Sequence, residues 1–158
     1  RLQMRRNTLL KWWVQFISII FASIIAWQLG WWHALYDADL TKISLFILTI
    51  FLFTTLTTGY MSSKPNNPKA RHLGNYVWFG SEAMITLGMI GTVAGFLLML
   101  GSAFADLDVK NISNVQSAIA DMAVGMSTAL STTLMGLICS VLTKAQMVIL
   151  ENSWEHND

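Results

Sequence analysis

Hydroxyl side chains crowd together in one apolar stretch of this chain. Residues 125–137 read Gly-Met-Ser-Thr-Ala-Leu-Ser-Thr-Thr-Leu-Met-Gly-Leu, and an earlier apolar stretch, residues 87–95, also contains a threonine. In segments apolar enough to cross a membrane, such hydroxyls cannot reach water, and closely packed helices can present their oxygens to something held between them. Hydroxyl oxygens are suitable neutral ligands for hard cations such as Na⁺, and they also serve proton paths. The pattern therefore predicts an ion path lined by Thr92, Thr128, Ser131, Thr132 and Thr133.

Small residues recur at one-turn spacing in the same two stretches. In membrane helices, such stripes permit two backbones to approach closely. Two plainer interpretations stay open: the stripes serve packing alone, and the hydroxyls bond back to their own helix turn. The density of hydroxyls exceeds what packing requires, which favours the path. The residues predicted to pack around it are Gly88, Gly91, Gly95, Gly125, Ala129 and Gly136.

The composition is that of a membrane protein. Hydrophobic residues make up 54% of the 158 residues and charged residues only 12%, whereas soluble domains are about one-quarter charged. Apolar segments at 12–32, 43–60, 77–104 and 118–150 each meet the need of roughly 20 residues for one membrane crossing. No small-residue cleavage motif follows the first segment, which predicts a span rather than a signal peptide. We expect an all-α integral membrane protein with four transmembrane helices, in which segments 3 and 4 form an inner pair and segments 1 and 2 face lipid.

The charges between the segments predict the orientation. Positive residues cluster before the first segment, between the second and third, and near the end of the fourth, whereas the other two turns are mainly acidic. By the positive-inside rule, both termini and the middle loop are cytoplasmic. The positive residues are Arg1, Arg5, Arg6, Lys11, Lys64, Lys69, Arg71 and Lys144, and the acidic turns hold Asp37, Asp39, Asp106 and Asp108.

Ionisable residues are missing from the middle of the spans. No Asp, Glu, Lys, Arg or His lies at depth, although an ion path usually needs such a group. If the chain conducts ions, the carboxylate must come from a partner. Asp121 lies near the outer end of segment 4, either as a weak ion entrance or as a helix-start acid favoured by the dipole.

The chain carries no catalytic arrangement, phosphate loop or metal-ligand cluster, so we expect neither an enzyme nor a metal site, and no cofactor.

At these residues the sequence resembles the MotA/TolQ/ExbB family, the ring-forming subunits of ion-driven motors. The resemblance is carried by Gly-Thr-x-x-Gly at 91–95 and by Gly-x-x-x-Ala-Leu-x-x-Thr-x-x-Gly-Leu at 125–137. It implies that Thr92 and Thr133 occupy two lumen-facing threonine positions of the family. Thr132 matches a further threonine of sodium-driven members, which favours Na⁺ over H⁺ as the transported ion.

The resemblance also implies an assembly. Its members form a homo-pentamer around a dimer of a MotB/TolR/ExbD-like single-span protein, whose membrane Asp supplies the carboxylate that this chain lacks. Ion influx would then drive rotation in the bacterial inner membrane, with lipid but no nucleic acid as a further partner. The expected organisation is an outer part at 1–60, a short cytoplasmic loop at 61–76 and the channel core at 77–158. A passive oligomeric pore and a structural scaffold are the alternatives.

Overall fold

The computed structural model describes residues 2–28, 30, 42–63, 68–105 and 110–155, and within these ranges every long element is an α-helix. The helices are α1 (Leu2–Gln28), α2 (Ile43–Ser63), α3 (Pro68–Ala105) and α4 (Ile112–Glu155). Most of the charged residues that predict the orientation lie outside the described residues or have side chains that are not described, so the orientation stays a prediction.

Local chemistry sets several helix ends. Pro68 occupies the first position of α3, where its fixed φ suits a helix and its missing N–H costs no intrahelical bond. Asn111 caps α4, because its side-chain oxygen accepts a hydrogen bond from the backbone N–H of Ser113 at 3.1 Å. After α1, Gly30 adopts a φ of +73°, the left-handed conformation that often terminates a helix.

Three helices are long and apolar enough to cross a membrane in the part of the chain that the structure describes. They cover Ile43–Ser63, His72–Ala105 and Ile112–Asn152, whereas the apolar part of α1 is shorter, at Trp12–Ile25. An all-helical membrane protein is therefore confirmed, and a fourth span stays a prediction. The helices also run further than the apolar segments: α2 ends at Ser63 and α3 begins at Pro68, well inside the range 61–76 that was predicted to be a loop.

The helices pack in a definite order. The most extensive contact joins α3 to α4, α2 packs against both, and α1 contacts only α2 and α4 among the described elements. Two apolar clusters hold α2, α3 and α4 together. The first contains Met61, Val77, Met147 and Leu150, and the second contains Ile47, Phe51, Met84 and Cys139.

A polar contact also joins α3 to α4 at the end where α4 finishes. The indole N–H of Trp78 donates a hydrogen bond to a carboxylate oxygen of Glu151 at 2.9 Å. The ammonium group of Lys144 lies 6.0 Å from the centre of the same indole ring, within range of a cation–π attraction. The apolar clusters and this contact together fix the register of α3 against α4, on which the candidate site depends.

The prediction that segments 1 and 2 face lipid describes only one side of α2, where Leu52, Phe53 and Leu56 are exposed, and the other side is polar and buried. Its Thr54, Thr58 and Ser62 are each at most 3% exposed. Thr58 donates to the carbonyl of Thr54 at 2.8 Å, and the hydroxyl of Thr54 lies 3.5 Å from that of Thr143 on α4. The spacing of four residues places these side chains on one helix face, so α2 turns a polar stripe inward against α4.

Candidate functional site

The backbones of α3 and α4 approach most closely at two facing glycines. A Cβ atom added to Gly136 would lie 2.5 Å from the carbonyl oxygen of Met84 and 3.2 Å from the Cα of Gly88. A Cβ atom on Gly88 would lie 3.2 Å from the Cα of Thr133. Because these neighbours are backbone atoms, only glycine permits this separation of the helices.

One helix turn away, the close approach brings two threonine hydroxyls together. The hydroxyls of Thr92 and Thr133 are hydrogen-bonded to each other across the α3–α4 interface. Two backbone carbonyls lie beside them: Thr92 Oγ1 is 3.0 Å from the oxygen of Gly88 and 3.2 Å from that of Ala129. Thr133 Oγ1 is 3.1 Å from the same oxygen of Gly88. These are the two threonines that the family resemblance singled out.

We call Thr92 and Thr133 the hydroxyl pair. What they can bind depends on the protons and lone pairs that their two hydroxyl groups carry. Each hydroxyl has one proton to donate and two lone pairs that accept. Because the two hydroxyls are bonded to each other, one donates to its partner and the partner donates to a carbonyl, which leaves at least one lone pair available on each hydroxyl oxygen. The pair can then present oxygen to a hard cation or accept from a proton donor. Both side chains are only partly buried, so this capacity is accessible at the surface of the single chain.

The other three predicted path residues do not join the hydroxyl pair through any described hydrogen bond. Thr132 is 2% exposed, and its hydroxyl reaches the carbonyl of Thr128 on its own helix at 3.4 Å. Thr128 donates to the carbonyl of Val124 at 3.0 Å, and Ser131 to that of Ser127 at 2.8 Å. These hydroxyls are thus satisfied within α4, as expected for Ser and Thr inside a membrane helix.

The remaining predicted packing residues occupy the same interface. A Cβ atom on Gly95 would lie 3.1 Å from the Cβ of Ala129, and one on Gly91 would overlap the methyl group of Thr132. Gly125 faces the side chain of Met99. The predicted small-residue stripes of α3 and α4 therefore face each other.

Asp121 is exposed on α4, four residues before Gly125 and more than three turns before Thr133 of the hydroxyl pair. Between Glu82 and the end of α3, and between Asp121 and Lys144 on α4, the sequence contains no Asp, Glu, Lys, Arg or His. No group of His, Cys, Asp and Glu among the described residues could hold a metal ion.

A model of the MotA/TolQ/ExbB proton channel family matches residues 79–157, half of the chain. The chain belongs to this family. The matched region contains most of α3 and all of α4, including both threonines of the hydroxyl pair. Neither a curated protein nor a solved structure matches the chain.

Membership of the MotA/TolQ/ExbB family confirms the resemblance seen in the sequence and fixes the broad class of the protein. The family consists of proton channels, which work with a partner protein, and it is not an enzyme family. Its membrane-channel character agrees with the three apolar helices.

The inward polar face of α2 was missed in the sequence analysis. The recurrence of Thr54, Thr58 and Ser62 at four-residue spacing was a signal that could have revealed it.

Proposed function

We propose that this protein is the ion-conducting subunit of a membrane motor, which couples ion influx to mechanical work through a partner. The observation that carries the proposal is the hydroxyl pair of Thr92 and Thr133, held at the glycine contact between α3 and α4. Family membership supports ion conduction, and the hydroxyl pair is shared between α3 and α4, partly accessible, and set apart from the Trp78–Glu151 contact at the end of α4.

The proposal includes the assembly. Exposed apolar side chains cover the outer faces of α3 and α4, including Ile90, Val93, Leu97, Leu130 and Leu134, each at least half exposed in the single chain. In a membrane such surfaces contact lipid or other subunits, and we propose that they pack a homo-pentamer. A dimer of a MotB/TolR/ExbD-like single-span protein would occupy its lumen and provide a membrane Asp. This supplies the carboxylate that α3 and α4 lack at depth.

We propose Na⁺ as the ion to test first and H⁺ as the alternative. The support for Na⁺ is the family resemblance at Thr132, added to the two oxygens of the hydroxyl pair. Thr132 itself bonds within α4, so it would act by shaping the path rather than by presenting its hydroxyl directly. Thr128, Ser131 and Asp121 are further candidates along the path. We rank them below the hydroxyl pair, because Thr128 and Ser131 bond within α4 and Asp121 is exposed far from the pair. The proposed location is the bacterial inner membrane, with both termini cytoplasmic.

The test measures ion flux into vesicles that contain the complex of this chain with its partner. Thr92→Val and Thr133→Val remove one hydroxyl each while keeping the branched shape. We expect each to reduce flux strongly, and Thr92→Ser and Thr133→Ser to retain it. Thr86→Val is the matched control, because Thr86 is exposed on α3 and donates to the carbonyl of Glu82 in its own helix.

The outcomes separate the candidate functions. Flux that survives both valine substitutions overturns the hydroxyl path. Ion leakage through this chain alone, without a partner, would instead indicate a passive pore. Assembly without any flux under a Na⁺ or H⁺ gradient would indicate a scaffold. Comparing a Na⁺ gradient with a pH gradient in the same vesicles identifies the ion.

A further inference from the structure

Four residues with buried, unpartnered polar atoms line one small cavity away from the hydroxyl pair. The cavity lies between α1, α2 and α4, and its polar wall is formed by Trp12, Gln15, Thr58, Ser62 and Gln146. Its volume of about 10 Å³ is close to the space that the centre of a single water molecule requires. Gln146 is 13 residues beyond Thr133 on α4, which places the cavity about 20 Å along the helix from the hydroxyl pair.

Most of the polar atoms on this wall are buried without a partner. Trp12 Nε1, Gln15 Oε1, Ser62 Oγ and both amide atoms of Gln146 form no hydrogen bond with any described residue. Gln146 is 2% exposed and Ser62 is 1% exposed, so bulk water does not satisfy them. Buried polar groups in native proteins are almost always paired, with protein atoms or with an ordered water. A group of five such atoms around one cavity therefore indicates a bound molecule.

The donors and acceptors identify the chemistry of that molecule. The indole N–H of Trp12 only donates and Gln15 Oε1 only accepts, whereas the Gln146 amide offers one donor group and one acceptor in either orientation. Ser62 can do both. A cation would face the N–H groups and an anion would face the carbonyl oxygens. A water molecule accepts two hydrogen bonds and donates two, so it suits this mixture of donors and acceptors and can satisfy up to four of the five atoms.

We propose that this cavity is a buried hydration site, in which one water molecule joins α1 to α2 and α4. The site lies where α1 meets the rest of the bundle. The indole ring of Trp12 packs directly on Gly59 of α2, where a Cβ atom would lie 2.5 Å from the ring, and it stacks on Phe16 at 5.1 Å. Among the described elements, α1 contacts α2 and α4 but not α3, so this water lies within the contacts that hold α1.

This assignment of Trp12 differs from the role of the other tryptophan beside it. Tryptophans at a membrane interface commonly act as lipid anchors. Trp13 is 51% exposed and fits that role, whereas the ring nitrogen of Trp12 is buried at the cavity. The inference concerns how α1 is attached, and it stands apart from ion conduction and from the hydroxyl pair.

The test uses the full chain in lipid nanodiscs with ¹⁵N-labelled tryptophan. The indole resonance of Trp12 is assigned by its loss in Trp12→Phe, and magnetisation transfer from water to the Trp12 indole proton is then measured. We expect a cross peak between this proton and a long-lived water. Gln146→Leu removes two of the water's partners and fills part of the cavity, and we expect it to abolish the cross peak.

Two controls keep the result decisive. Gln116→Leu makes the same substitution at an exposed position of α4 and should leave the cross peak unchanged. If Gln146→Leu does not fold, Ser62→Ala replaces it. Its control is Ser63→Ala, since Ser63 bonds to the carbonyl of Gly59 within α2 at 3.0 Å. Absence of the cross peak in the unmodified protein, or its persistence in Gln146→Leu or Ser62→Ala, would overturn the proposal.

Discussion

The glycine contact between α3 and α4 makes a quantitative prediction for Gly136→Ala. The new methyl group would lie 2.5 Å from the carbonyl oxygen of Met84 and 3.2 Å from the Cα of Gly88. Ordinary contact requires the helices to separate by roughly 1 Å, and a gap of that size removes a quarter to a half of the dispersion energy of the atoms involved. The same movement would stretch the 3.1 Å contact between Thr133 Oγ1 and the oxygen of Gly88 beyond hydrogen-bonding distance.

The expected cost can be set against the intrinsic preference of a helix for alanine. Overpacking in a close-packed interior costs about 1–3 kcal/mol, and contact with rigid backbone places this case at the upper end. The gain in helix propensity from Gly to Ala is about 1 kcal/mol. We therefore expect Gly136→Ala to lower the free energy of unfolding by about 2 kcal/mol.

The assay is reversible unfolding of the protein in detergent micelles, followed by tryptophan fluorescence. Gly101→Ala is the matched control, because Gly101 lies on α3 and a Cβ atom there would meet nothing within 4 Å. This control should be neutral or slightly stabilising. If Gly136→Ala is as stable as Gly101→Ala, the close approach of α3 and α4 is not present in the protein, and the geometry of the hydroxyl pair fails with it.

Two further predictions concern the end of the bundle and its single cysteine. In a cycle of Trp78→Phe, Glu151→Ala and the double variant, the 2.9 Å hydrogen bond predicts a coupling of about 1 kcal/mol in the free energy of unfolding, and a coupling near zero would contradict it. Cys139 is 3% exposed within the α2–α4 packing, so we expect a maleimide reagent to label it only after denaturation; rapid labelling of the folded protein would show that this packing is wrong.

Much of the fold follows from hydropathy, because a membrane span must be long and apolar. The predicted segments at 43–60, 77–104 and 118–150 each fall within an observed helix. Their ends were not predictable in the same way, since a helix continues into water wherever its residues permit, as α3 does back to Pro68. Threonine is nearly neutral in hydropathy. Hydropathy alone therefore did not distinguish α2, with its polar face at Thr54 and Thr58, from a helix that faces only lipid.

The candidate site was likewise predictable from the sequence in part. Small-residue spacing on α3 and α4 correctly indicated a shared interface, and it brought Thr92 to Thr133. Which of the neighbouring hydroxyls faces α3 depends on the rotation of α4, and adjacent residues on a helix differ by about 100°. Thr132 and Thr133 are adjacent and therefore point in different directions, although the sequence gives them the same chemistry. Trp12 and Trp13 are also adjacent, so the sequence could not show which of the two rings faces the other helices.

The composition of the complex tests the central proposal most directly. Native mass spectrometry of the complex, purified from its own membrane through a tag on this chain, counts the copies of each subunit. The account predicts five copies of this chain with a substoichiometric single-span protein that carries an Asp in its membrane helix. A monomer, a dimer or a ring without such a partner would contradict it, and would remove the proposed role of Thr92 and Thr133.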